Sequence, residues 1–144
     1  SFSFILLWYQ VFYRNIMSIK TLNGECLCGI VSWQMKGPYE FFGMCQCSRC
    51  RKVTGAAFAA NLFVKPEQFL WLSGENKRGE YTLSLPNTFG NAFCNKCGSR
   101  VPRQTAKGWM LLPLGSTMEA PNITPTLVQL EDHTEWFTKL NEIV

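Results

Sequence analysis

Cys45-Gln46-Cys47-Ser48-Arg49-Cys50, followed by Arg51 and Lys52, is the stretch around which the rest of the chain is read. Three cysteines within six residues, beside three cationic side chains, exceed what core packing asks of a small domain. The other four cysteines stand as two pairs on either side, Cys26-Leu27-Cys28 and Cys94-Asn95-Lys96-Cys97, and each pair is followed by a glycine. Seven is an odd number, and every cysteine sits in C-x-C or C-x-x-C spacing. A secreted disulfide framework has an even count in a shorter chain, so the spacing favours metal in a reducing, cytoplasmic compartment. On this reading Cys26, Cys28, Cys94 and Cys97 close one structural zinc site, and Cys45, Cys47 and Cys50 make a second, incomplete one.

Structural zinc is tetrahedral with four protein ligands, and each outer pair has the reach of a metal-binding turn. Gly29 and Gly98 can take positive φ, which lets each turn wrap its sulfur and aim backbone N–H groups at it. The competing reading, a redox-active C-x-x-C, calls for a βαβ pattern that the chain lacks. A closed outer site ties residues 26–28 to residues 94–97 and so carries much of the fold.

Three protein ligands with one position open is the arrangement of a catalytic zinc. Three thiolates make the ion a weak Lewis acid toward water, so a better use of the open position is to hold an incoming thiol as thiolate. Arg49, Arg51 and Lys52 flank the trio, and Arg100, Arg103 and Lys107 are candidates to approach it in space. They would receive the carboxylates of an anionic thiol; for each singly, a solvated surface charge is the competing reading. His133, the single histidine, stands beside Glu131 and Asp132 and reads as a surface residue with ligation as the alternative.

The chain has 144 residues, 47% hydrophobic and 17% charged, which is the composition of one ordinary globular domain. Its net charge of +4 invites an acidic partner, but zinc on four thiolates adds −2 and zinc on three adds −1, leaving +1. That argues against nucleic acid. Residues 1–16 differ from the rest: Phe2 to Tyr13 is almost wholly apolar, too short to span a bilayer and without the flanks of a signal peptide. Met17 reads as the natural start, with 1–16 a non-native leader and 17–144 a single domain. If ordered, the leader's aromatic residues should pack on this chain or a neighbour.

Beyond Met17 the periodicity is mostly that of strands. Strands are expected over Ile30–Met35, Tyr39–Met44, Ala57–Val64, Phe69–Leu72, Glu80–Leu85, Asn91–Phe93, Arg100–Gln104, Trp109–Leu114 and Thr126–Leu130. Turns fall at Gly37-Pro38, Ser73-Gly74, Pro86-Asn87 and Gly90. Pro102 and Pro113 demote their runs to edge strands or bulges. Helix is expected only as a turn at Ser48–Val53, another at Pro66–Phe69 and a short piece at Thr134–Leu140. The sum is an all-β sandwich or folded-over sheet.

Gly24-x-Cys26-x-Cys28-Gly29-x-Val31, Cys45-x-Cys47-x-x-Cys50-Arg51-Lys52-x-x-Gly55 and Phe93-Cys94-x-x-Cys97-Gly98-Ser99 together closely resemble the glutathione-dependent formaldehyde-activating enzyme family, which includes centromere protein V. Gly115-Ser116, Pro121 and Trp136 also resemble its pattern, and the likeness runs from about Met17 to the C-terminus. The resemblance implies the all-β β-tent fold of short antiparallel strands, two zinc ions, and carbon–sulfur lyase chemistry on a thiol such as glutathione with formaldehyde; a three-thiolate site that loads only with its ligand would make the second zinc labile. Cys45, Cys47 and Cys50 become the catalytic set, and Gln46, Arg49, Arg51 and Lys52 the candidate substrate contacts. Gln46 stands where the family commonly has histidine, and Gly115-Ser116-Thr117-Met118 stands for its Gly-Ser-Leu-Asp. A non-catalytic zinc module for protein interaction is the alternative, and redox sensing by the trio a third reading.

Overall fold

The structure is a computed structural model that describes residues 2–18, 20–84 and 89–133. Among these residues it holds ten strands: β1 (Thr21–Glu25), β2 (Ser32–Lys36), β3 (Phe41–Cys45), β4 (Ala59–Val64), β5 (Phe69–Ser73), β6 (Arg78–Thr82), β7 (Gly90–Cys94), β8 (Arg103–Gln104), β9 (Met110–Pro113) and β10 (Thr126–Val128). Two α-helices join them, α1 (Phe2–Ser18) and α2 (Ser48–Thr54), with short 3-10 turns at Pro66–Gln68, Glu75–Lys77 and Leu114–Ser116. The strands form three small sheets ordered β1-β2-β5, β10-β3-β4-β9-β8 and β6-β7. Every pair is antiparallel except β10 with β3, which run parallel. The protein is all-β, as its patterning implies.

Period-two alternation decides which side chains make the core. Leu62 and Val64 of β4, and Met110 and Leu112 of β9, turn to one face of the five-stranded sheet and are buried there. They join Leu22 of β1, Trp33 and Met35 of β2 and Ala92 of β7 in one cluster. Trp33, Leu62 and Leu112 are fully enclosed. Each such side chain contributes about 1.5–3 kcal/mol by leaving water. The other face of the five-stranded sheet, bearing Phe41, Gly43, Cys45, Asn61, Phe63 and Leu111, is not covered by this core and lines a cavity instead.

Three features depart from the sequence expectation. β1 has no counterpart among the expected strands; Gly24 lies within it, and any side chain there would collide with the Trp33 indole. β9 is flanked by β4 and β8, not an edge strand, although β8 covers only Met110 and Leu111 and leaves Pro113 without a neighbour on that side. Residues 2–18 form a helix, and the described side chains from Phe2 to Val11 are exposed. Among the described residues no helix is long and apolar enough to cross a membrane. The expected features at Leu85, Pro86-Asn87, Thr134–Leu140 and Trp136 lie outside the described residues.

Gly74 fixes the seam between the first cysteine turn and β5. It has φ of +72°, and a Cβ there would drive into the Ile30 carbonyl. Gly74→Ala combines left-handed strain with a backbone collision and is expected to cost about 2–4 kcal/mol. Urea unfolding of the variant checks this; an unchanged midpoint would count against the packing described.

Candidate metal centres and the cavity between the sheets

The outer cysteines sit on two turns built alike. The first joins β1 to β2, with the Cys26 N–H donating to the Val31 carbonyl (2.9 Å) and the Gly29 N–H to the Cys26 carbonyl (2.9 Å). The second follows β7, with the Cys94 N–H donating to the Ser99 carbonyl (2.9 Å) and the Gly98 N–H to the Cys94 carbonyl (2.9 Å). Gly29 and Gly98 take φ of +77° and +76°, the left-handed geometry that favours glycine. The Leu27 N–H donates to Ser99 Oγ at 3.0 Å and ties one turn to the other.

All seven cysteines are free thiols, and the Sγ atoms of Cys26, Cys28, Cys94 and Cys97 lie within 4.8 Å of one another. Cys26 and Cys28 are 3.5 Å apart and Cys28 and Cys94 3.8 Å. A tetrahedron of sulfurs each about 2.3 Å from zinc has edges of about 3.8 Å, so the cluster has the size of that ion's cage. The Val31 N–H reaches Cys26 Sγ at 3.3 Å, the Ile30 amide faces Cys28, and Cys97 has the Ser99 hydroxyl at 3.3 Å. The Ser99 hydroxyl and amide draw the Cys97 thiol down to about 5. At Cys28 the Ile30 amide favours the thiolate, but desolvation and the neighbouring sulfurs outweigh it and push the group up to about 11. Four sulfurs in so small a volume oppose one another's ionisation, and a divalent cation removes that opposition.

The central cysteines come from the end of β3 and the start of α2. Cys45 ends β3 on the cavity face, Cys47 is the N-cap of α2, and Cys50 lies in its first turn. The Cys50 N–H donates to Cys47 Sγ at 3.4 Å. The three sulfurs also lie within 4.8 Å of one another. The Cys50 thiol bonds to Cys45 and, with the Arg49 charge, draws Cys45 down to about 5, while that same pairing and burial push Cys50 up. His133 is not in this group; its Nδ1 lies 2.7 Å from the Leu130 carbonyl.

The trio opens on a cavity of about 520 Å³. Arg49, Arg100, Arg103 and Lys107 line it, and no acidic residue is among its described lining residues. The Arg49 guanidinium lies 5.9 Å from the Phe89 ring centroid and bonds to Cys47, while its buried Nε has no hydrogen-bond partner among the described residues. Arg100 donates to Asn91 Oδ1 (2.9 Å) and Asn61 Oδ1 (3.4 Å), both uncharged; burial lowers its pKa and the nearby Cys50 opposes that. Arg103 pairs with Glu80 at 3.3 Å, and its guanidinium lies against Gly90, where a Cβ would come within 2.5 Å of it.

The sequence placed Gln46, Arg49, Arg51 and Lys52 together as substrate contacts, and the structure separates them. Arg49 lines the cavity; Gln46, Arg51 and Lys52 do not. Gln46 is buried: its N–H donates to the Val128 carbonyl (3.0 Å) and its Oε1 accepts from Gln129 Nε2 (3.0 Å), so it holds β10 against the trio. Arg51 donates to the carbonyls of Gln46 (2.5 Å) and Asp132 (3.1 Å). Lys52 is exposed. Arg100, Arg103 and Lys107 do reach the cavity. Sequence reasoning missed Asn61, Phe41, Phe63, Phe89 and Trp109; counting back by twos from Cys45 along β3 would have found Phe41.

A small β scaffold with one closed four-cysteine cluster and one open three-cysteine cluster facing a cationic cavity is that of a cysteine-rich protein able to hold metal at two places. Residues 21–138 match the family described as glutathione-dependent formaldehyde-activating enzyme, and the chain belongs to that family. Its fold is similar to the crystal structure of a Rhodobacter sphaeroides protein determined as a structural genomics target, at 17% identity and a TM-score of 0.56, covering 75% of this chain and 99% of that one. No curated protein matches the chain significantly.

Proposed function

We propose that the protein is a zinc-dependent carbon–sulfur lyase of the glutathione-dependent formaldehyde-activating type, acting on an anionic thiol or its S-hydroxymethyl adduct in the cytoplasm. The observation that carries this reading is the open trio of Cys45, Cys47 and Cys50 in a cavity whose described lining has four cationic residues and no acidic one. Zinc held by Cys45, Cys47 and Cys50 would keep a substrate sulfur deprotonated near neutral pH. A second zinc, on Cys26, Cys28, Cys94 and Cys97, has a structural role.

The chain's own residues bind and orient the substrate. Among the described residues the Arg100 side chain donates to neutral amide oxygens, which leaves its charge for a carboxylate, and the Arg49 guanidinium, beside Cys47, adds a second cation next to the trio. In the lyase direction the C–S bond of an S-hydroxymethyl thiol breaks, sulfur keeps the bonding pair, the hydroxyl proton passes to water and formaldehyde leaves. Combination of thiol and formaldehyde is the reverse.

Zinc analysis with a glutathione thermal-shift titration tests the proposal, alongside NMR detection of formaldehyde exchange with S-hydroxymethylglutathione. Two zinc ions per chain, stabilisation by glutathione and accelerated exchange are expected. One zinc ion, no thiol response and no exchange would leave a non-catalytic zinc-binding interaction module.

A further inference from the structure

We infer that the cavity carries an apolar subsite at the end remote from the cysteines, formed by Phe41, Phe63 and Trp109, which receives a planar apolar group on the substrate thiol itself. The inference rests on the reading above, in which Cys45, Cys47 and Cys50 anchor the substrate sulfur.

Strand register places the two ends. Phe41, Gly43 and Cys45 alternate onto the cavity face of β3, with Phe63 opposite Phe41 and Asn61 opposite Gly43 on β4. From Cys45 to Phe41 is four residues, about 13 Å along an extended strand. Gly43 lies between them, and the Phe41 ring leans over it: a Cβ at Gly43 would meet that ring at 2.9 Å, so the glycine lets the aromatic face lie along the strand toward Cys45.

The remote end is an aromatic corner. The Phe41 and Phe63 rings stand 5.6 Å apart at 54°, and Trp109 lines the same cavity. These three residues also line a further cavity of about 380 Å³, with Glu40, so space continues past them. Phe41 is 39% exposed although it stands on a sheet face, so the core does not claim it. Open aromatic faces joined to a polar reaction site are the usual means of orienting an apolar ligand part.

A hydroxymethyl group is too small to reach that corner from the trio, and glutathione has no aromatic group to fill it. The apolar part therefore belongs to the thiol, with its ring within about 13 Å of sulfur by the strand spacing. Arg49 and Arg100, nearer the trio, remain for an anionic group.

Affinities of the zinc-loaded protein for 2-phenylethanethiol, 4-phenylbutanethiol and 6-phenylhexanethiol test this, with the matching phenylalkanols as sulfur-free partners. The longest thiol is expected to bind at least about tenfold more tightly than the shortest, each buried methylene being worth severalfold. Trp109→Ala and Phe41→Ala should each remove most of that gain, whereas Leu70→Ala, which truncates an exposed side chain on another sheet, should leave it. If the alcohols show the same gain and bind as well as the thiols, the subsite stands and the sulfur-anchoring reading fails. A flat series, or a gain that survives in both aromatic variants, overturns the subsite whatever glutathione does.

Discussion

Cys94→Ser is expected to yield insoluble protein, or protein without a cooperative unfolding transition. Cys94 is buried at the end of β7, its sulfur lies 3.8 Å from Cys28, and its backbone closes the turn that carries Cys97. Loss of one thiolate from a four-sulfur cage removes most of the metal affinity. Zinc binding at such a site is worth on the order of 10 kcal/mol of folding free energy, comparable to the whole stability of a domain. Here the cage also joins two turns that are otherwise tied by the hydrogen bond from the Leu27 N–H to Ser99 Oγ. Near-ultraviolet circular dichroism and zinc analysis read the result. A well-folded variant with unchanged zinc would contradict the role given to the outer cluster.

Cys47→Ser should have the opposite character, with the fold kept and the chemistry lost. Cys47 caps α2 by accepting the Cys50 N–H, and serine is a better N-cap than most residues. The hydroxyl can continue that bond, but it does not ionise near neutral pH and is a poor zinc ligand. The variant is expected to lose one zinc ion and its response to glutathione, and to unfold within a few degrees of the parent. Turnover should fall by more than about 100-fold, since changes merely next to a metal's ligands already cost 10–100-fold. Retained activity with a single zinc would show that the trio is not the reacting centre.

The contrast between these variants reflects what the sequence made legible. Cysteine spacing was informative because a metal site is built from short turns, and turns are local; Gly29 and Gly98 take the positive φ the spacing called for. Strands were legible where alternation was clean, as in β4, and illegible in β1, where Gly24 answers to Trp33 from the neighbouring strand. α1 escaped because apolar residues surround it, and a helix without a polar face shows no period. The cationic residues were the least legible. Arg49, Arg51 and Lys52 are adjacent in sequence, but a helix turns about 100° per residue, so one helix cannot aim all of them into one cavity. Gln46 read as a substitution at a reactive position, and only the tertiary pairing with Gln129 shows that it fastens β10.

The parallel pairing of β10 with β3 has a consequence for the order in which the two centres can be completed during synthesis. The outer cluster has all its sulfurs once Cys97 has been made, and the turns that carry them close on nearby residues. The inner trio is made by Cys50, yet its wall of Val128 and Leu130, and the Gln129 amide that meets Gln46, come almost eighty residues later. A nascent chain therefore carries all four outer sulfurs while the inner set of three thiols still lacks one side of its cavity. Metal delivered at that stage would meet the inner cysteines before the cavity that defines their ligand exists.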